Sequence, residues 1–94
     1  MQVGTYELTE EWVGLSTLLE TEISADDTYY IQNRGSKSGL LGVMLVCEGN
    51  AAPTDNEGDV IMPPQRITYQ KGTQSDLWLK SDKGLITINV MKGA

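Results

Sequence analysis

The chain has 94 residues, thirteen acidic against seven basic, a formal charge of −6 and no histidine. That length suits one domain around one core. The charge excludes a nucleic-acid binder working through phosphates and disfavours an anionic membrane surface. Without histidine the commonest general base and transition-metal ligand is missing, and a single cysteine makes no intramolecular disulfide.

Six Val, six Ile and nine Thr stand against four Ala. Stiff β-branched side chains suit a pleated surface, whereas Ala is the best helix former, so the balance predicts strands. Turn-rich clusters at 33–39, 49–58, 71–75 and 81–84 cut the chain into strand-sized pieces. The expected fold is all-β: a small antiparallel β-sandwich or jelly-roll in a single domain. The start, MQVGTYELTEEW, carries neither a basic cluster nor an apolar run and does not read as a signal peptide, and no apolar stretch has membrane-spanning length.

In chain order, residues 3–8 read as a strand, with a turn at Thr9-Glu10-Glu11. For the rest of 8–23 short strands are expected. The alternative is an amphipathic helix, since Leu8, Trp12, Leu15, Leu18 or Leu19, and Ile23 keep helical spacing. Residues 28–33 (TYYIQN) alternate as a strand, with Tyr30 and Gln32 opposite Tyr29, Ile31 and Asn33. Residues 40–48 (LLGVMLVCE) are nearly continuously apolar, as in a strand covered on both faces, with a buried helix as the competing reading. A short strand at 59–62 stops at Pro63-Pro64, and 66–70 (RITYQ) puts Ile67 and Tyr69 on one face. Residues 77–80 (LWLK) and 85–90 (LITINV) are expected to form a hairpin through Ser81-Asp82-Lys83-Gly84, where glycine supplies a positive φ. The connection at 49–54 reads as a crossover between sheets.

Little in these residues points to catalysis. Asp55-Asn56-Glu57-Gly58-Asp59 has its glycine too early for a calcium loop and reads as a solvated turn. Asp26-Asp27 likewise reads as a turn. Cys47, inside the most apolar segment, reads as a buried small hydrophobe. Residues 35–39 (GSKSG) lack the spacing of a phosphate-cradling loop. No enzyme activity, cofactor or metal is expected. Trp78 does stand out. With Leu77 and Leu79 facing the core, Trp78 and Lys80 face outward, and an outward Trp on a sheet is an interface anchor; the alternative is that Trp78 faces a second core layer.

Taken in order, the chain resembles small β-sandwich virion structural proteins of tailed bacteriophages. The stretches that carry the resemblance are Trp12 with the leucines after it, 28–35 (TYYIQNRG), 43–48, Ala52-Pro53-Thr54, Pro63-Pro64 before Ile67-Thr68-Tyr69, Lys71-Gly72, 76–81 (DLWLKS) and 86–90. Where such proteins usually have Pro-Gly before the next strand, this chain has Pro63-Pro64. The resemblance implies a capsid decoration (cement) protein on the outer capsid surface of the virion. Its partner would be the major capsid protein, and it would be a homo-oligomer, dimer or trimer, with Trp78, Tyr29, Tyr30 and Lys80 as interface residues and 1–5 as an N-terminal arm. Two alternatives follow from the same resemblance. One is a receptor- or carbohydrate-binding module of a head fibre or tail, with Tyr29, Tyr30, Gln32 and Asn33 as a sugar patch. The other is a connector or tail accessory protein. The acidic charge favours the outer surface, away from packaged DNA.

Overall fold

The computed structural model describes residues 2–24, 26–36, 42–54, 58–70 and 76–93. Among these residues eight strands and one short helix follow one another: β1 (Gln2–Leu8), β2 (Val13–Gly14), α1 (Leu15–Leu19), β3 (Thr28–Ser36), β4 (Met44–Glu48), β5 (Asp59–Ile61), β6 (Arg66–Gln70), β7 (Leu77–Ser81) and β8 (Ile86–Lys92). They form two four-stranded sheets, β1-β8-β3-β6 and β2-β7-β4-β5. In this order β1 pairs with β8, β2 with β7, β3 with β6 and β4 with β5, all antiparallel. A chain folded back on itself and rolled into two sheets has this pairing, so the sandwich is a jelly roll.

Alternation sorts each strand's faces. In β3, Tyr29, Ile31 and Asn33 are buried while Tyr30 and Gln32 are half-buried, as the sequence predicts. The first sheet adds Leu8, Tyr69, Ile86, Ile88 and Val90 to the core, and the second adds Met44, Val46, Ile61, Leu77 and Leu79. The strand does not end at Asn33 but runs on to Ser36. Its register shifts between Asn33 and Gly35, where Gly35 takes φ +84 and packs toward Pro63. A side chain is strained at that φ, which is why the bulge carries a glycine.

Several expectations are corrected. The segment 8–23 is neither a run of strands nor one amphipathic helix. The two-residue β2 leads into the five-residue α1, which buries Leu15 and packs Leu18 and Leu19 against the core. The expected C-terminal hairpin does not form, because β7 lies in one sheet and β8 in the other. Residues 81–85 are a corner between layers, with the Ser81 and Asp82 amides donating to the carbonyls of Thr9 and Val43. Both strands are apolar on one face, and the two faces meet across the core instead of pairing edge to edge. Conversely, the 49–58 connection joins β4 to β5, neighbours within one sheet, and is no crossover. The fourth strand starts only at Met44; Leu40 and Leu41 lie outside the described residues, as do Asp55–Glu57 of the acidic turn and residues 71–75. Residues 2–5 are not an arm: Gln2, Gly4 and Thr5 pair with β8. Asp26-Asp27 do sit in a turn, where Asp27 accepts from the Ser24 amide at 2.9 Å and returns its own amide to the Ser24 carbonyl.

Candidate functional site

Two regions have the geometry of a site: the outer face of the second sheet, and a cleft between the free edges of the two sheets. The outer face follows from register. Leu45 lies opposite Lys80 and Val60, and Cys47 opposite Trp78, so these five side chains share the side away from the core. Trp12, just before β2, lies across this face. Its ring sits 5.9 Å from Lys80 Nζ, and it also approaches Gly58 at the start of β5. Leu45 is only 4% exposed although it points away from the core.

The expected anchors divide. Trp78 and Lys80 are indeed on the outer face, but neither stands free. Trp78 is half-buried, with its indole Nε1 donating to the Gly49 carbonyl at 3.0 Å. Lys80 is buried, because its stem lies against the sheet while its ammonium meets Trp12. Cys47 is half-buried rather than buried. The exposed part of this face is instead Val60, at 59%, with Met62 next to it at 37%. Tyr29 is a core residue, not a surface anchor. Burial, with the Asp27 carboxylate adding to it, raises its pKa above the ordinary value, and Lys92 partly offsets this. Tyr30 faces out from the first sheet, beside Met91 and Thr68. The expected sugar patch is thus split: Tyr29 and Asn33 point inward, Tyr30 and Gln32 outward. On the same outer face a polar depression of about 350 Å³ is lined by Thr5, Arg34, Gly35, Ser36, Thr87 and Asn89. Among the described residues no His, Cys, Asp or Glu side chains group as metal ligands.

The cleft lies where β5 and β6, each at the end of its sheet, face one another. It is a cavity of about 450 Å³ walled by Val46, Ile61, Ile67, Tyr69 and Leu77. Glu48 and Asp59 also line it. Each is paired in register with an inward-facing residue, Leu77 and Val46 respectively, which puts it on the cleft side of its strand, and both are exposed at the rim. The Tyr69 hydroxyl is buried with no hydrogen-bond partner. Burial raises its pKa, and the carboxylates of Asp76 and Glu48 raise it further. The alternation of Ile67 and Tyr69 marks both as inward from sequence alone. The cavity has no sequence signal, because it arises from how far apart the two edges stand.

No family model matches the chain, and no curated protein or solved structure matches it either.

Proposed function

We propose that this chain is a structural protein of a tailed-phage particle, a capsid decoration protein that binds the outer surface of the assembled shell. The observation that carries this reading is the outer face of the second sheet, where the exposed Val60, with Met62 next to it, shares a face with Trp78 and with the Trp12 ring near Lys80. Aromatic and aliphatic groups clustered on one exposed face are what interfaces use as their centre. The jelly roll recurs in capsid and lectin domains, which supports the reading by analogy of fold. The charge of −6 suits a position outside the shell, away from packaged DNA.

In this role the protein acts by mass action. It binds the assembled shell and not the separated subunits, so it stabilises the former by about 3 kcal/mol per site at a free concentration roughly a hundred times Kd. A homodimer or homotrimer at a local symmetry axis would bridge neighbouring copies of the major capsid protein. Co-sedimentation with emptied capsids of the phage that encodes it tests this. The wild-type chain is expected to pellet with shells, and a folded Val60→Asp/Met62→Asp variant to stay in the supernatant. A wild-type protein that ignores its own capsids would refute the reading.

The polar depression lined by Thr5, Arg34, Thr87 and Asn89 favours one second reading, a carbohydrate-binding module. Its hydroxyl, amide and guanidinium groups offer hydrogen bonds to a sugar. A glycan array without hits at high protein concentration would remove it.

A further inference from the structure

The cleft between β5 and β6 combines three features that a mere packing defect would not. It is an open cleft whose volume of about 450 Å³ falls within the range of small-ligand sites. The Tyr69 hydroxyl is buried at its wall without a partner, although buried polar groups in native proteins are nearly always satisfied. Two exposed carboxylates, Glu48 and Asp59, stand at its rim, and no Lys or Arg is among the described residues that line it. Charges at a sheet edge discourage edge-to-edge aggregation. That accounts for the carboxylates but for neither the cleft nor the hydroxyl.

We propose that this cavity receives an alkylammonium group, the side chain of a lysine carried on an extended segment of the capsid protein. The match is chemical. An aliphatic stem lies against Val46, Ile61, Ile67 and Leu77, and the ammonium, with three donors and no acceptor, meets the acceptors of Tyr69, Glu48 and Asp59. The Tyr69 ring adds a face that attracts a cation. The negative field that raises the Tyr69 pKa acts in the same sense, since Asp76 and Glu48 both contribute to it. The mouth is flanked by β5 and β6, each paired on one side only among the described residues, so a partner strand can add to an edge while its side chain enters the cleft. The lysine's source rests on the shell-binding reading; the chemistry of the cavity does not.

The test uses n-pentylammonium, n-pentanol and n-pentanoate with the full chain, followed by amide chemical shifts. Pentylammonium is expected to give saturable shifts centred on Val46, Ile61, Ile67 and Tyr69, with Kd on the order of 1–10 mM. Pentanol is expected to bind at least about tenfold more weakly, and pentanoate not at all. Glu48→Gln/Asp59→Asn should remove the preference for the ammonium over the alcohol, and Tyr69→Phe should weaken pentylammonium in an otherwise unchanged spectrum. Pentanol binding as tightly as pentylammonium, or shifts outside the cleft, would overturn the proposal. The Glu48→Gln/Asp59→Asn variant is then sedimented with capsids. Loss of pelleting supports the shell as the source of the lysine. Retained pelleting overturns that source while leaving the shell reading intact, and that reading fails only if the wild-type chain does not pellet.

Discussion

Asn33 Nδ2 donates to the Ile61 carbonyl oxygen at 2.8 Å, tying an interior strand of one sheet to the edge strand of the other through the core. The same amide group donates to the Gly42 carbonyl at 2.9 Å, and its Oδ1 accepts from the Gly35 amide at 2.8 Å. One fully buried side chain thus satisfies three backbone groups from three segments. Asn33→Leu keeps the size but orphans all three, each worth about 1–3 kcal/mol. We expect a loss of about 3–5 kcal/mol in urea unfolding, a large part of what holds a domain together. Asn33→Asp should be worse at neutral pH, where a carboxylate would face two carbonyls, and should partly recover in acid. A leucine variant within about 0.5 kcal/mol of wild type would show that the amide ties nothing.

The short helix depends on Asp76. Five residues are too few to form a helix alone, and Gly14 at its N-cap has no side chain to offer. The Asp76 carboxylate takes that place from across the fold, accepting from Ser16 Oγ at 2.6 Å, from the Ser16 amide at 3.4 Å and from the Leu77 amide at 2.8 Å. Asp76→Ala should cost about 2 kcal/mol and Ser16→Ala about 1 kcal/mol. The double variant should fall short of their sum by about 1 kcal/mol, because the two residues share one interaction. Strict additivity would mean that the pair does not act as a cap.

These partners explain what the sequence reveals and what it hides. The alternation of residues 28–33 and 66–70 predicts which side chains point inward, and the β-branched content predicts the all-β class; both are local properties. Pairing is not local. Ser81-Asp82-Lys83-Gly84 has the residues of a hairpin turn, and Gly84 does take φ +72, but the corner is held by groups distant in sequence, such as Glu10, whose carboxylate accepts the Gly84 amide. The same holds for α1, whose cap comes from Asp76, and for Lys80, which alternation places outward but Trp12 covers. Of the expected interface residues, only Trp78 and Tyr30 keep both an outward position and partial exposure.

Alkaline pH should lower the stability of the protein. Tyr69 and Tyr29 both have pKa values raised above the ordinary 10.0, with burial the leading cause in each. The folded state therefore holds these protons more tightly than the unfolded chain. That contribution is fully present below about pH 10 and is lost as the pH rises through the folded-state values. Tyr69→Phe should shallow the fall in stability above pH 10. At neutral pH it should also stabilise the protein by about 1 kcal/mol, since it removes an unpartnered buried hydroxyl. Urea midpoints at pH 7 and at pH 10.5 check both; destabilisation at pH 7 would mean that the hydroxyl has a partner.

Gly58 should tolerate no side chain. It has φ +124, and a Cβ there would lie 2.4 Å from the Val46 carbonyl oxygen, a backbone atom that cannot swing away. Gly58→Ala should lose about 2 kcal/mol or more through strain and the displaced edge strand β5. Amide exchange should then speed up first at Asp59, Val60 and Ile61. Exchange that speeds up evenly across both sheets would place the strain elsewhere.

Trp12 and Lys80 make the last comparison, because they cover the same sheet face by different means. The Trp12 ring sits on the outward side of the second sheet beside the Lys80 ammonium, and removing it uncovers part of this face. Trp12→Ala should therefore cost about 3–4 kcal/mol, the usual cost of deleting a large packed ring. Lys80→Met keeps the stem and gives up the ammonium, its place over the ring included, so it should cost about 1 kcal/mol. If Lys80→Met costs as much as Trp12→Ala, charge rather than covered area holds this face. In that case the stability of the wild-type protein should also fall steeply with added salt, as partly exposed ionic contacts do.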